Sequence, residues 1–535
     1  MALTQASRPT ADELYPIDPA WSGLANQATV AAKRAMRAVA SPIDGRFLGE
    51  VPKCQPEDVA YAAALARAAA PSWAAASLRR RADVIARFRD LLAKQRDRLL
   101  DLVHAENGKA RVGALEEFLD AVLTAGYYAA KAPKALRPER RAGALPVLTS
   151  AYVCYQPKGL VGIIAPWNYP LTLAASDAVP ALLAGNAVLL KPDSLTPLTG
   201  LCVVKLLRQA GLPHDVIQAV TGPGAELGTP IVDNSDFVMF TGSTAVGRQV
   251  AAQCGRRLIG CSAELGGKNA LLVLDDAPFQ RAVAGAVQAA FANTGQLCVS
   301  IERIYVQRPL FDRFAEAFAS RAAALALGGG AGWEVDLGPL ASPAQLAKVE
   351  AHVADAVRRG ARLLAGGRRR EDLGPLFYEP TVLAAVDASM ALAQEETFGP
   401  VVSLFPVDSE EEAIRLANQT SYGLNASVWT GSPARGRAVA ERLRAGTVNI
   451  NEGYAAAWGS TDAPMGGFGV SGLGRRHGVE GLLKYTEPQT VARQRLWPLG
   501  PPAGVSRQRY AAFMTGGAKL LRGGLRPVWG RARRR

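Results

Sequence analysis

The chain has 535 residues, of which 49% are hydrophobic and 20% charged, with a formal net charge of +14. That balance excludes a disordered chain and allows two or more domains around large cores. The six cysteines (54, 154, 202, 254, 261 and 298) form no CxxC pair and no close-spaced framework, so neither a metal site nor a disulfide scaffold is expected and a reducing, cytoplasmic setting fits.

In chain order, the N-terminus "MALTQASRPTADELYPID" carries acids and no apolar run, and nowhere do about eighteen apolar residues follow one another. No signal peptide or membrane span is expected. Apolar residues at Val84, Phe88, Leu91, Leu92, Leu99, Leu102 and Val103 recur at spacings of three and four, which predicts one amphipathic helix. Short apolar runs bounded by Gly, Pro or Asp follow at 160–166, 187–192, 237–243 and 270–276. These predict buried parallel strands, with helical crossovers at 174–183 and 199–210. The fold class expected is α/β. From Pro488 onward there is no Asp or Glu, while eleven Lys and Arg residues end in "GRARRR". Most of the positive excess is therefore in one tail, and no nucleic-acid partner is expected. Its glycines and proline weaken any continuous helix, so a solvated, partly disordered tail is expected, with weak contact to an anionic membrane as the alternative.

Three stretches could carry chemistry. Ser243 closes one strand before a helical segment, so the turn's N–H groups would face a phosphate, and "TGPGAELG" places Gly222 and Gly224 in a similar setting. Glu264 enters a Gly-Gly turn bare enough for another group to approach closely, as a general base requires. Cys298 follows a Gly-Gln turn in "FANTGQLCVS", where a small core residue and a nucleophile are both open readings. None of the four histidines stands in a cysteine-protease signature, which favours Cys–Glu over Cys–His chemistry.

The ordered set "PWNYP" (166–170), "KPDSLTP" (191–197), "FTGSTAVG" (240–247), "ELGGK" (264–268), "GQLC" (295–298), "EETFGPV" (395–401) and "PMGGFGVSGLGR" (464–475) resembles the NAD(P)-dependent aldehyde dehydrogenase superfamily across roughly 29–495. "YGLNASVWT" and "NEGYAAAWGS" are most similar to its NADP-type succinate-semialdehyde dehydrogenases. The resemblance implies a Rossmann-like cofactor domain (29–148 and 162–266), an α/β catalytic domain (267–465), a β-flap oligomerisation element (149–161 and 484–496) and a basic tail (497–535). It implies Cys298 as nucleophile, Glu264 as base and Asn168 as oxyanion donor, with no metal. For the cofactor it implies Trp167, Asn168, Gly242 and Ser243 near the pyrophosphate, Lys191 at the adenosine ribose, Leu265 beside the nicotinamide, and Glu396 with Phe398 at the nicotinamide ribose. Ser194 stands where NAD-preferring members often place a glutamate, so NADP is expected, with NAD as the alternative and Asp193 next to it. Tyr454, Trp458 and Ser460 fall in the segment lining the substrate mouth. The two arginines of well-studied succinate-semialdehyde enzymes are replaced by Ser176 and Ala292, so a less polar aldehyde is an alternative substrate. A homodimer or homotetramer is implied, with 151–157 pairing near 484–496. A cysteine acyl-transfer enzyme and a membrane-attached binding protein are the rival readings.

Overall fold

The computed structural model describes residues 18–145, 148–496 and 499–522. The chain divides into two compact units, one of 1–136 with 156–487, the other of 137–155 with 488–535.

The larger unit holds two mostly parallel sheets. The first has six strands, in the order Gly472–Leu473, Gly260–Glu264, Phe237–Thr241, Leu160–Ile164, Ala187–Lys191 and Ile217–Ala219. Leu160–Ile164 and Ala187–Lys191 are buried at every position, which is why they read as continuous apolar runs rather than alternating ones. The helices Pro170–Leu183, Pro197–Gln209, Gly224–Asn234 and Thr244–Arg256 connect these strands. The second sheet has seven strands, ordered Arg362–Ala365, Thr381–Ala384, Val401–Val407, Ile301–Gln307, Asn269–Val273, Asn425–Trp429 and Thr447–Ile450. The run expected at 270–276 is its strand Asn269–Val273.

Two expectations need correction. The single helix over 84–103 is two, Leu78–Lys94 and Arg96–Asn107, because Gln95 leaves helical geometry at φ −106° and ψ 21°. The apolar spacing crosses the break because both helices bury the same stripe. Ser243 does not close a strand, which ends at Thr241; it caps the next helix, its hydroxyl accepting from Val246 N at 3.4 Å.

The smaller unit contains a three-stranded sheet in which Thr149–Pro157 lies between Thr486–Gln494 and Glu139–Arg141, so the pairing expected for 151–157 is present. It also contains the helix Arg507–Arg522, within a tail whose glycines and proline were expected to weaken any continuous helix. The Ser506 hydroxyl accepts from Arg509 N at 3.3 Å, and the alanines at 511, 512 and 518 offset the cost of Gly516 and Gly517, each about 1 kcal/mol. The remaining tail residues, 523–535, lie outside the described residues, as does the N-terminal stretch 1–17. Among the described residues no helix is long and apolar enough to cross a membrane, and all six cysteines are free.

Candidate active site

Glu264 ends its strand opposite Thr241 on one side and Gly472 on the other. Its carboxyl is buried and its Oε1 has no hydrogen-bond partner among the described residues. Burial pushes its pKa up to about 7, partly offset by the positive charges of Arg476 and Lys484. Such a group is half ionised near neutrality, as a working base requires.

The Gly266–Gly267 turn that follows is tight for a physical reason. A side chain at Gly266 would run into the Glu396 carboxylate, and one at Gly267 would come within 2.9 Å of the Cys298 carbonyl. Gly267 N donates to Glu396 Oε1 at 2.7 Å. Burial, then the nearby Glu302 charge, raises the Glu396 pKa to about 7. Glu302 in turn accepts from Thr397 N at 2.9 Å and Phe398 N at 2.9 Å and pairs with Lys268. Gln345 Nε2 donates to Phe398 O at 2.6 Å. These bonds hold Phe398 at φ +57°, a conformation that non-glycine residues seldom adopt. The Phe398 ring meets Trp167 edge to face with centroids 5.6 Å apart.

Cys298 lies between the short 3-10 turn Ala292–Gly295 and the strand Ile301–Gln307. Asn293 and Thr294 sit at φ 50° and 58°. The Cys298 carbonyl accepts from Asn269 Nδ2 at 2.8 Å. Burial, followed by the negative charge of Glu264, pushes the thiol pKa up to about 12, so the resting side chain is a protonated thiol. Asn168 Nδ2 reaches the same loop, donating to Gln296 O at 3.1 Å.

The support behind Asn168 was not read from the sequence. Lys109 Nζ donates to Asn168 O at 2.6 Å and to Glu117 Oε2 at 2.8 Å, and it lies 3.7 Å from the centre of the Tyr169 ring. Both ends of this ion pair are fully buried. Glu117 Oε1 accepts from Leu171 N and, at 3.1 Å, Thr172 N, the orphan donors that open helix Pro170–Leu183. A buried Asp177–Arg476 pair at 2.6 Å stands near Glu264, and was likewise unread. Lys109 reaches Asn168 across 59 positions and Arg476 reaches Asp177 across 299, so local spacing carries no signal for these contacts.

A second cluster lies at the C-terminal edge of the six-stranded sheet. Lys191 is 2% exposed; its Nζ donates to Pro192 O at 2.7 Å, and among the described residues no carboxylate forms an ion pair with it. Asp193 Oδ1 accepts from Leu195 N at 2.9 Å, and Ser194 Oγ donates to Gly222 O at 2.9 Å, tying two loops together. Gly242 and Ser243 sit at the start of helix Thr244–Arg256, and a side chain at Gly242 would come within 2.7 Å of the Phe240 ring. Leu265 is buried beside Gly247.

Of the three substrate-mouth candidates, Tyr454 is buried and donates to Glu116 Oε1 at 2.7 Å. Trp458 meets the Tyr169 ring at 5.7 Å. Ser460 donates to Ala456 O at 2.7 Å and is exposed, two residues beyond the short helix Ala455–Trp458. Ser176 is buried with its hydroxyl unpartnered among the described residues. A cavity of about 290 Å³ lies against Ala292 and Asn293; Glu116, Gln288 and Asp336 line it, with no Lys, Arg or His.

A profile described as "Aldehyde dehydrogenase family" matches residues 29–491. A Mycolicibacterium smegmatis protein provisionally named succinate-semialdehyde dehydrogenase, NADP(+), is 53% identical over 482 residues, covering 90% of this chain and 93% of that protein. A Mycobacterium tuberculosis protein with the same type of name is 52% identical over 474 residues, or 89% and 92% of the two chains. Among solved structures, an aldehyde dehydrogenase from Bacillus cereus in complex with NAD+ matches with a TM-score of 0.85 at 34% identity, covering 90% of this chain and 99% of that one. An E. coli NADP-dependent enzyme matches with a TM-score of 0.84 at 34% identity, covering 88% and 99%.

Proposed function

This chain belongs to the aldehyde dehydrogenase family, and we propose that it oxidises succinate semialdehyde to succinate with NADP, using Cys298 as nucleophile. The observation that carries the chemistry is the convergence of half-buried Cys298 with buried Glu264 and Asn168 on one loop cluster. The names of the relatives carry the substrate and the cofactor.

An aldehyde releases its hydrogen as hydride only once a nucleophile has turned the carbonyl into an alkoxide-bearing carbon. Cys298 Sγ would form that bond, losing its proton as it does so, because its raised pKa leaves almost no resting thiolate at neutral pH. Asn168 Nδ2 and the Cys298 N–H would hold the oxyanion, and the Lys109–Glu117 pair would keep the asparagine's backbone in place. When bound, the dinucleotide supplies the hydride acceptor. Glu264, ionised, would take a proton from the water that hydrolyses the Cys298 thioester.

The residues fit a dinucleotide. The buried Lys191 ammonium keeps donors to spare, and the helix N-terminus at Ser243 offers N–H groups. Lys191, Asp193 and Ser194 would face the adenosine ribose, Trp167, Gly242 and Ser243 the pyrophosphate, and Leu265, Glu396 and Phe398 the nicotinamide end. In this reading the six-stranded sheet takes the cofactor, the seven-stranded sheet presents Cys298, and the smaller unit's sheet joins subunits into a dimer or tetramer.

A second substrate reading, a less polar aldehyde, is favoured by one observation: no cation lines the cavity beside Ala292, and Ser176 supplies none. Reduced-cofactor formation with succinate semialdehyde and its uncharged chain-length analogues, with Cys298→Ala as control, separates the two. A higher kcat/KM for succinate semialdehyde supports the first; no signal above the control with any aldehyde removes both.

The free thiols support a cytoplasmic setting. The helix Arg507–Arg522 presents Phe513, 77% exposed, on a segment rich in arginine, which supports weak contact with an anionic membrane. Sedimentation with phosphatidylglycerol vesicles should be lost in Phe513→Asp; equal sedimentation of both proteins removes that contact.

A further inference from the structure

We infer that Arg37 holds the 2′-phosphate of NADP and thereby sets the preference for NADP over NAD. The inference rests on the reading of the Ser194 corner as the adenosine-ribose site.

Arg37 lies on the strand Met36–Ala40, paired with Phe47–Pro52 in the register Arg37↔Val51. Its odd-numbered companion Val39 is 3% exposed, while Met36, Ala38 and Ala40 face outward. Strand alternation therefore turns Arg37 inward, where its Nη2 donates to the Ser194 carbonyl. Ser194 Oγ in turn bonds Gly222 O, so three segments distant in sequence meet at one point. The loops bearing Ser194 and Gly222 leave adjacent parallel strands, paired Leu190↔Ala219, at their C-terminal edge, where ligands of such sheets bind.

The charge balance there is uneven. Among the described residues no carboxylate forms an ion pair with Arg37, whereas Arg34, three positions earlier, forks onto Asp58 at 2.7 and 3.1 Å. Two acids of this corner, Glu106 and Asp193, are already committed to backbone and hydroxyl donors. Glu106 accepts from Leu198 N, Thr199 N and the Thr199 hydroxyl at 2.6–2.7 Å, and Asp193 Oδ1 accepts from its own turn. A guanidinium with one donor on a neutral carbonyl and no paired acid retains a fork suited to a phosphate monoester. A ribose hydroxyl offers it nothing comparable.

Steady-state kinetics with each cofactor, and calorimetric binding of adenosine 2′,5′-bisphosphate against AMP, test this on the full-length enzyme. Arg37→Met should lower kcat/KM for NADP by about 10- to 100-fold, as loss of a charged hydrogen bond does, while kcat/KM for NAD stays within about twofold. Arg37→Lys should recover part of the loss, because it restores the charge without the fork. Equal losses with both cofactors would mean that Arg37 only braces the loop, and an unchanged NADP value would also overturn the inference. If the wild type ignored NADP in turnover, the cofactor reading would fail on its own. Bisphosphate binding would still decide the role of Arg37: affinity over AMP lost in Arg37→Met supports it, and affinity equal in both proteins overturns it.

Discussion

The hydrolysis of a Cys298 thioester should follow the ionisation of Glu264. Burial, opposed by Arg476 and Lys484, raises this carboxyl to about 7. Only the ionised form can accept a proton, so the rate rises with pH and is lost as pH falls through 7. With that midpoint, about 9% of Glu264 is ionised at pH 6 and about 91% at pH 8, a roughly tenfold change in rate. The quantity to measure is the steady rate following the first turnover, by rapid-mixing kinetics with NADPH release as signal. Glu264→Gln should keep a burst of about one NADPH per site and lose about 10²- to 10⁴-fold in the steady rate. Lys484→Met removes one of the positive charges that stabilise the carboxylate, so the midpoint should move upward. A steady rate flat from pH 6 to 8, or unaltered in Glu264→Gln, would refute the reasoning.

Other consequences are equally direct. Alkylation of Cys298 by iodoacetamide without cofactor should accelerate about tenfold per pH unit from 7 to 10, since the thiol lies near 12; a plateau below pH 9 would contradict that. Lys109→Met should lower kcat by about 10- to 100-fold, less than the roughly 10²- to 10³-fold expected for removing the Asn168 donor. That loss should vanish in an Asn168→Ala background if Lys109 acts through Asn168, whereas equal losses in both backgrounds would make its role purely structural. Asp177→Ala strands the buried Arg476 guanidinium and should destabilise the fold by about 3–5 kcal/mol in denaturant unfolding. Ser194→Glu should shift preference toward NAD, and an unchanged cofactor ratio would remove Ser194 from that role.

The parallel strands and the quoted motifs were legible because burial on both faces leaves apolar runs and because tight approaches demand glycine, as at Gly266 and Gly267. The break at Gln95 was not, since two consecutive helices bury one continuous stripe and their periodicity runs through the junction. Helix Arg507–Arg522 was missed because its glycines outweighed a serine cap whose geometry only the structure displays. Arg37, Lys109, Glu117 and Arg476 were invisible for a different reason. Each acts on a partner 8 to 299 positions away, and an isolated Lys, Arg or Glu in sequence resembles any solvated charge.

The central claim, covalent catalysis at Cys298, is tested most directly by acid quenching Glu264→Gln during turnover with NADP and aldehyde, followed by peptide mass analysis. The account predicts one acyl group, matching the aldehyde's carbon skeleton, on the peptide containing Cys298. NADPH formed with Cys298 unmodified, or an acyl group on another residue, would contradict it.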